Sequence, residues 1–63
     1  MKYQVGDLLR YKTHASISKR IMYCIVLEAR KDKGIVFWID GIERNFQQTV
    51  EWKSYYGTFE RAS

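Results

Sequence analysis

The sequence predicts a small all-β domain, and three observations carry that reading. An apolar run at residues 21–29 and a second at residues 35–39 flank a charged, glycine-closed turn; Asp40-Gly41 ends the second run; and no proline interrupts the 63 residues. Two β-prone runs joined by a short charged turn make a hairpin, and Asp-Gly after the second run is a strong signal for the next reversal. Three consecutive antiparallel strands are thereby nearly written out. A small barrel is the leading way to bury them in one unit.

The elements follow in order. Gly6-Asp7 is a turn that delivers a first strand at residues 8–12, with Leu9 and Tyr11 on one face and Leu8, Arg10 and Lys12 on the other. That face pattern is half exposed, as an edge strand would be. Residues 13–20 lose the apolar pattern and read as a loop carrying His14, Lys19 and Arg20. The second strand, about residues 22–30, is apolar on both faces through Leu27, which predicts the centre of the sheet. In the third strand, residues 35–40, Ile35, Phe37 and Ile39 oppose Val36 and Trp38, and one of these faces is the core. A fourth strand at residues 42–46 sets Ile42, Arg44 and Phe46 against Glu43 and Asn45. Residues 47–56 admit two readings: continued strand, or a short helical turn near residues 49–54 capped by Thr49. Residues 58–61 are β-prone and pair with the first strand if the barrel closes.

Length and composition bound the rest. A chain of 63 residues is one domain, residues 1–63, and buries only about 60% of its unfolded surface. Apolar residues at 46% and aromatics at 16% exclude a disordered chain. The single cysteine, Cys24, makes no internal disulfide, and small secreted domains normally carry several, so a reducing cytosol is the expected compartment. No apolar run approaches the roughly 20 residues of a membrane span, and the first residues show no secretory apolar region. The expectation is a soluble, cytoplasmic protein with no membrane partner.

Charge is unevenly spread. Residues 1–33 carry eight basic against three acidic groups, a net +5, whereas residues 34–63 carry three against four, a net −1. Such asymmetry points to acidic partners, and an ordinary solvated surface is the competing explanation.

Catalysis has little foothold. A nucleophilic centre needs Cys24 or a serine beside His14 with a third group to orient the imidazole, yet Cys24 sits mid-strand and His14 in a loop. One histidine and one cysteine do not make a structural zinc site. Asp40 has a turn to make and Glu43 an exposed strand face to occupy, and no glycine is followed by a helix at phosphate-cradling spacing. No cofactor is expected.

The aromatics are more informative, because ten of them exceed what so small an interior holds. Phe37 and one of Trp38 or Trp52 are expected in the core. Others remain for the surface, where tyrosine and tryptophan anchor protein partners or stack on unpaired bases. Two functional readings follow. In the first, a protein-interaction module uses Tyr11, Trp52, Tyr55 and Tyr56 as a groove. In the alternative, a nucleic-acid-binding module uses Arg10, Lys12, Lys19, Arg20, Arg30, Lys31 and Lys33 against phosphates. Self-association is a variant of the first, since spare aromatics and open strand edges are buried equally well by a second copy.

The order Val5-Gly6-Asp7-Leu8-Leu9-Arg10-Tyr11, then Ile25-Val26-Leu27-Glu28, then Val36-Phe37-Trp38-Ile39-Asp40-Gly41-Ile42-Glu43 resembles short phage-encoded SH3-like proteins. Those are patterned as Gly-Asp-Leu-Val, Gly-Ile-Val-Leu-Glu and Val-Leu-Trp-Ser-Asp-Gly. The resemblance covers roughly two thirds of the chain. It departs at Tyr23-Cys24, where the pattern has a glycine entry, and at residues 45–56, which are longer and more aromatic. It implies a five-stranded SH3-like barrel and a phage-encoded protein that meets a host or virion component in the host cytoplasm. The fold itself selects no ligand.

Overall fold

The computed structural model describes residues 3–14, 20–41, 44–54 and 56–62. Over them the chain forms five strands: β1 (Leu8–Thr13), β2 (Ile21–Ala29), β3 (Lys33–Trp38), β4 (Phe46–Glu51) and β5 (Gly57–Arg61). They make one antiparallel sheet in the order β4-β3-β2-β1-β5. The doubly apolar β2 is central, as its continuous run predicts. β1 is not an edge strand, because β5 returns to its open side with Tyr11 opposite Phe59.

Alternation decides which side chains are inside. Leu9, Cys24, Val26 and Val36 have no exposed surface, and Tyr3, Trp38, Trp52 and Phe59 complete the core. On β3 the buried face is therefore Val36 and Trp38. Phe37, expected inside, lies on the other face and is only half-buried, and both tryptophans enter the core instead. The reason is register: Cys24 pairs with Trp38 and Val26 with Val36, so the face that buries β2 fixes the face of β3. An extra residue between Val26 and Glu28 bulges β2 and leaves Leu27 exposed.

The sheet curls but does not close. β3 and β5 are three strand spacings apart, roughly 14 Å in a flat sheet, yet the Trp38 and Phe59 rings stack at 6.2 Å. Among the described residues a bridge from Lys53 to Thr58 links the chain beyond β4 to β5. Trp52 fastens this end: its indole N–H donates to the Arg30 carbonyl at 2.8 Å, and its ring meets Tyr3 at 4.9 Å and Phe59 at 5.7 Å edge-on. The Tyr3 hydroxyl in turn donates to the Phe59 carbonyl at 2.8 Å. Two glycines make room for these rings. A Cβ on Gly34 would collide with the Trp52 indole and the Glu28 carbonyl, and one on Gly57 would collide with the Tyr11 ring.

Turn chemistry explains the boundaries. The β2–β3 reversal is tight, with Ala29 opposite Gly34 and the Arg30 N–H donating to the Lys33 carbonyl at 2.8 Å. After β3, Asp40 takes the role of a turn residue: its Oδ1 accepts the Tyr23 N–H at 2.7 Å. The fourth strand begins later than the alternation at residues 42–46 predicts. Ile42 and Glu43 lie outside the described residues, and Asn45 adopts a φ of 61° while its N–H donates to the Trp38 carbonyl at 2.7 Å. Asparagine tolerates this left-handed conformation, which ends the turn and admits extended chain only from Phe46. The helical turn near residues 49–54 does not form. Pairing with β3, from Lys33 opposite Glu51 to Trp38 opposite Phe46, keeps that segment extended through Glu51.

Candidate functional site

Where the curled sheet fails to close, the gap between β4 and β5 is a cleft of about 410 Å³. Its floor is aromatic. Tyr11 from β1 lies 5.7 Å from Trp38 of β3 in an edge contact and 4.6 Å from Phe59 of β5. Gln48 and Val50 of β4 form one wall, and Ser54 with the exposed Tyr56 forms the other side of the mouth. Thr49 and Glu51 add polar lining from β4, and the other polar groups are held: the Trp38 indole N–H donates to Gln48 Oε1 at 2.9 Å, the Tyr11 hydroxyl lies 3.4 Å from Ser54 Oγ, and Ser54 Oγ accepts the Tyr56 N–H at 3.2 Å. An apolar hollow with a few fixed polar groups is the ordinary form of a binding site.

The sequence-derived protein-binding residues divide here. Tyr11 and Tyr56 line the cleft together. Trp52 does not belong to it, being 7% exposed and committed to the core through its hydrogen bond to Arg30. Tyr55 lies outside the described residues. Trp38, Gln48, Ser54 and Phe59 complete the cleft without having been marked by sequence reasoning; the paired alternation of β3 and β5 was the available signal for the two rings.

The cations expected to face phosphates do not gather on one patch. Arg10 is ion-paired with Glu60, with its Nε donating to Glu60 Oε1 at 2.6 Å, an interaction that raises the guanidinium pKa above its usual value. Lys12 and Arg20 stand at the β1–β2 end, where the Arg20 N–H donates to Thr13 Oγ1 at 2.9 Å; Lys19 lies outside the described residues. Arg30, Lys31 and Lys33 stand at the other end of β2. Ten residues separate Arg20 from Arg30, about 30 Å of extended chain, which is nearly the 32 Å long axis of the molecule. Arg30 lies 3.6 Å from Glu28, and the hollow beside Lys31 and Lys33 also contains Asp32 and Glu51.

The residues weighed for catalysis stand apart. Cys24 is fully buried, and desolvation, with a smaller contribution from the Asp40 charge, pushes its thiol pKa up to about 12. It pairs with Leu9, whereas His14 lies five residues further along, roughly 16 Å by strand rise. There the His14 Nε2 sits 2.7 Å from Thr58 Oγ1. Among the described residues no group of three or more His, Cys, Asp or Glu is arranged to hold a metal ion, and no helix is long and apolar enough to cross a membrane.

The outer face of the sheet carries a second feature, unmarked by sequence reasoning. Leu8, Ile25 and Phe37 lie side by side across β1, β2 and β3, all half-buried, with Ile35 next to them on β3.

Fold and site together define a small all-β domain with an aromatic cleft at an open sheet seam. Comparison with protein-family models, with curated proteins and with solved structures gave no significant match.

Proposed function

We propose that this chain is a non-enzymatic protein-interaction module whose groove is the cleft between β4 and β5. The observation that carries the reading is the convergence of Tyr11, Trp38, Tyr56 and Phe59, from separate parts of the chain, on a hollow flanked by the side of β4 that no described strand pairs with. Aromatic side chains at such a site supply large contact area at low entropic cost, and an adjacent strand edge offers backbone hydrogen bonds to an extended partner. The buried, high-pKa Cys24 and the distant His14 favour binding over catalysis. On the resemblance to short phage-encoded SH3-like proteins, the partner is a host or virion protein met in the host cytoplasm. Nucleic-acid binding is the weaker reading, because its cations divide between opposite ends of β2 and several are near carboxylates.

The test is capture from host lysate with the immobilised chain, followed by titration of the captured protein against wild type, Tyr56→Ala and Gln48→Ala. Saturable binding that both substitutions weaken at least about 10-fold supports the cleft, as expected for contacts at a hot spot. Binding that neither substitution changes rejects it. An oligonucleotide that binds at about 50 mM salt and is released as salt rises supports the nucleic-acid reading instead.

A further inference from the structure

The two ends of the sheet are protected unequally. β5 receives the Lys53–Thr58 bridge on its outer side and carries Glu60 and Arg61, paired with Arg10 and Asp7. Charges and partial cover of this kind are how natural sheets block edge pairing. β4 has neither. From Phe46 to Val50 it contains no charge and no proline, and no described strand pairs with its outer side.

The ladder shows which backbone groups are on offer. The Trp52 N–H donates to the Asp32 carbonyl at 3.0 Å, in line with the β3–β4 register. Hydrogen bonding alternates along an antiparallel pair. Phe46, Gln48 and Val50 therefore direct their N–H and C=O groups to β3, while Gln47, Thr49 and Glu51 direct theirs outward.

We infer that the outer edge of β4 pairs antiparallel with β4 of a second copy, about a two-fold axis at Gln48. Charge complementarity selects this occupant. Arg44 precedes the strand and Glu51 ends it, so an antiparallel copy brings opposite charges together at both ends while the neutral Gln47-Gln48-Thr49 segment meets itself without repulsion. In this register Gln47 faces Thr49 of the second copy. Phe46, which is 53% exposed, falls beside Val50 of the second copy at the mouth of the aromatic cleft. Each copy thus contributes an aromatic residue to the other's site. Self-pairing and capture of another protein compete for one edge.

The experiment is sedimentation of the full chain alone, between about 10 µM and 1 mM. The expected result is a concentration-dependent mass rising toward twice the 7.6 kDa of one chain. Thr49→Pro removes one outward donor per copy and leaves the β3 ladder intact, so it is expected to weaken the dimer at least about 10-fold. Thr49→Lys and Thr49→Glu serve where proline disturbs the strand. Position 49 of one copy is a diagonal neighbour of position 49 of the other, about 7 Å apart, so each variant alone dissociates and an equimolar mixture re-forms the dimer. A monomer throughout the range overturns the inference. So does a dimer indifferent to Thr49→Pro, or a charge-swap mixture that fails to recover. No second protein is present, so these outcomes are independent of whether the cleft captures a partner.

Discussion

Gly34→Ala is expected to destabilise the domain by about 2–3 kcal/mol, although it adds one methyl group at a strand position with an ordinary backbone. The added Cβ would collide with two objects, the Glu28 carbonyl oxygen of the neighbouring strand and the Trp52 indole. Neither retreats freely. Glu28 is held by pairing with Ile35 just past the bulge, and the indole is pinned by its bond to the Arg30 carbonyl and by edge contacts with Tyr3 and Phe59. Overpacking of this kind costs about 1–3 kcal/mol, and loss of the indole hydrogen bond adds about 1 kcal/mol. Alanine's smaller unfolded-state entropy offsets about 0.4–1 kcal/mol. In a domain of this size the net loss lowers Tm by about 10–20 °C. Urea unfolding of wild type, Gly34→Ala, Trp52→Phe and the double variant, followed by far-UV circular dichroism and tryptophan fluorescence, measures it. The smaller ring relieves the collision, so the double variant should be more stable than additivity predicts by about 1 kcal/mol. A Gly34→Ala cost below about 0.5 kcal/mol, or strict additivity, would refute the account of how Trp52 crosses β3.

Two further outcomes follow from burial. Cys24 is protonated more tightly when folded, its pKa raised from 9.0 to about 12, so folding stability is full below about pH 9 and declines as pH rises towards 12. Native chain at pH 8 should resist a thiol reagent that reacts at once after unfolding, and a Cys24→Ser variant should lose this alkaline slope. Threonine substitution separates the two faces of β2: Val26→Thr places a hydroxyl in a site with no exposure and is expected to cost about 1–3 kcal/mol, whereas half-buried Ile25→Thr on the outer face is expected to cost less than about 1.5 kcal/mol. Equal costs in denaturant unfolding would contradict the assigned face.

Much of the site was hidden because it is made of distant pieces. Tyr11 and Tyr56 were recognisable as spare aromatics, but their meeting depends on β5 returning beside β1 and on Gly57 leaving space for the Tyr11 ring. Trp52 resembled them in sequence and differs because a carbonyl two strands of chain away, at Arg30, satisfies its indole. Phe37 and Trp38 are adjacent and equally apolar. The register with Cys24 chose between them. The cations of the first half were legible as a charge excess, while their separation to opposite ends of β2 was visible only once that strand was laid out.

Local chemistry in the chain was enough to establish an all-β domain, the central place of β2 and the tight reversal after Ala29, and it only suggested the return of the last segment to the first strand. Alternation has a period of two residues and turn residues act on their immediate neighbours, so these features are written in short windows. The start of β4, the faces of β3, the depth of Trp52 and the open seam with its aromatic floor were decided by the tertiary structure. Each depends on register and on contacts between residues tens of positions apart, where a one-residue shift exchanges core for surface.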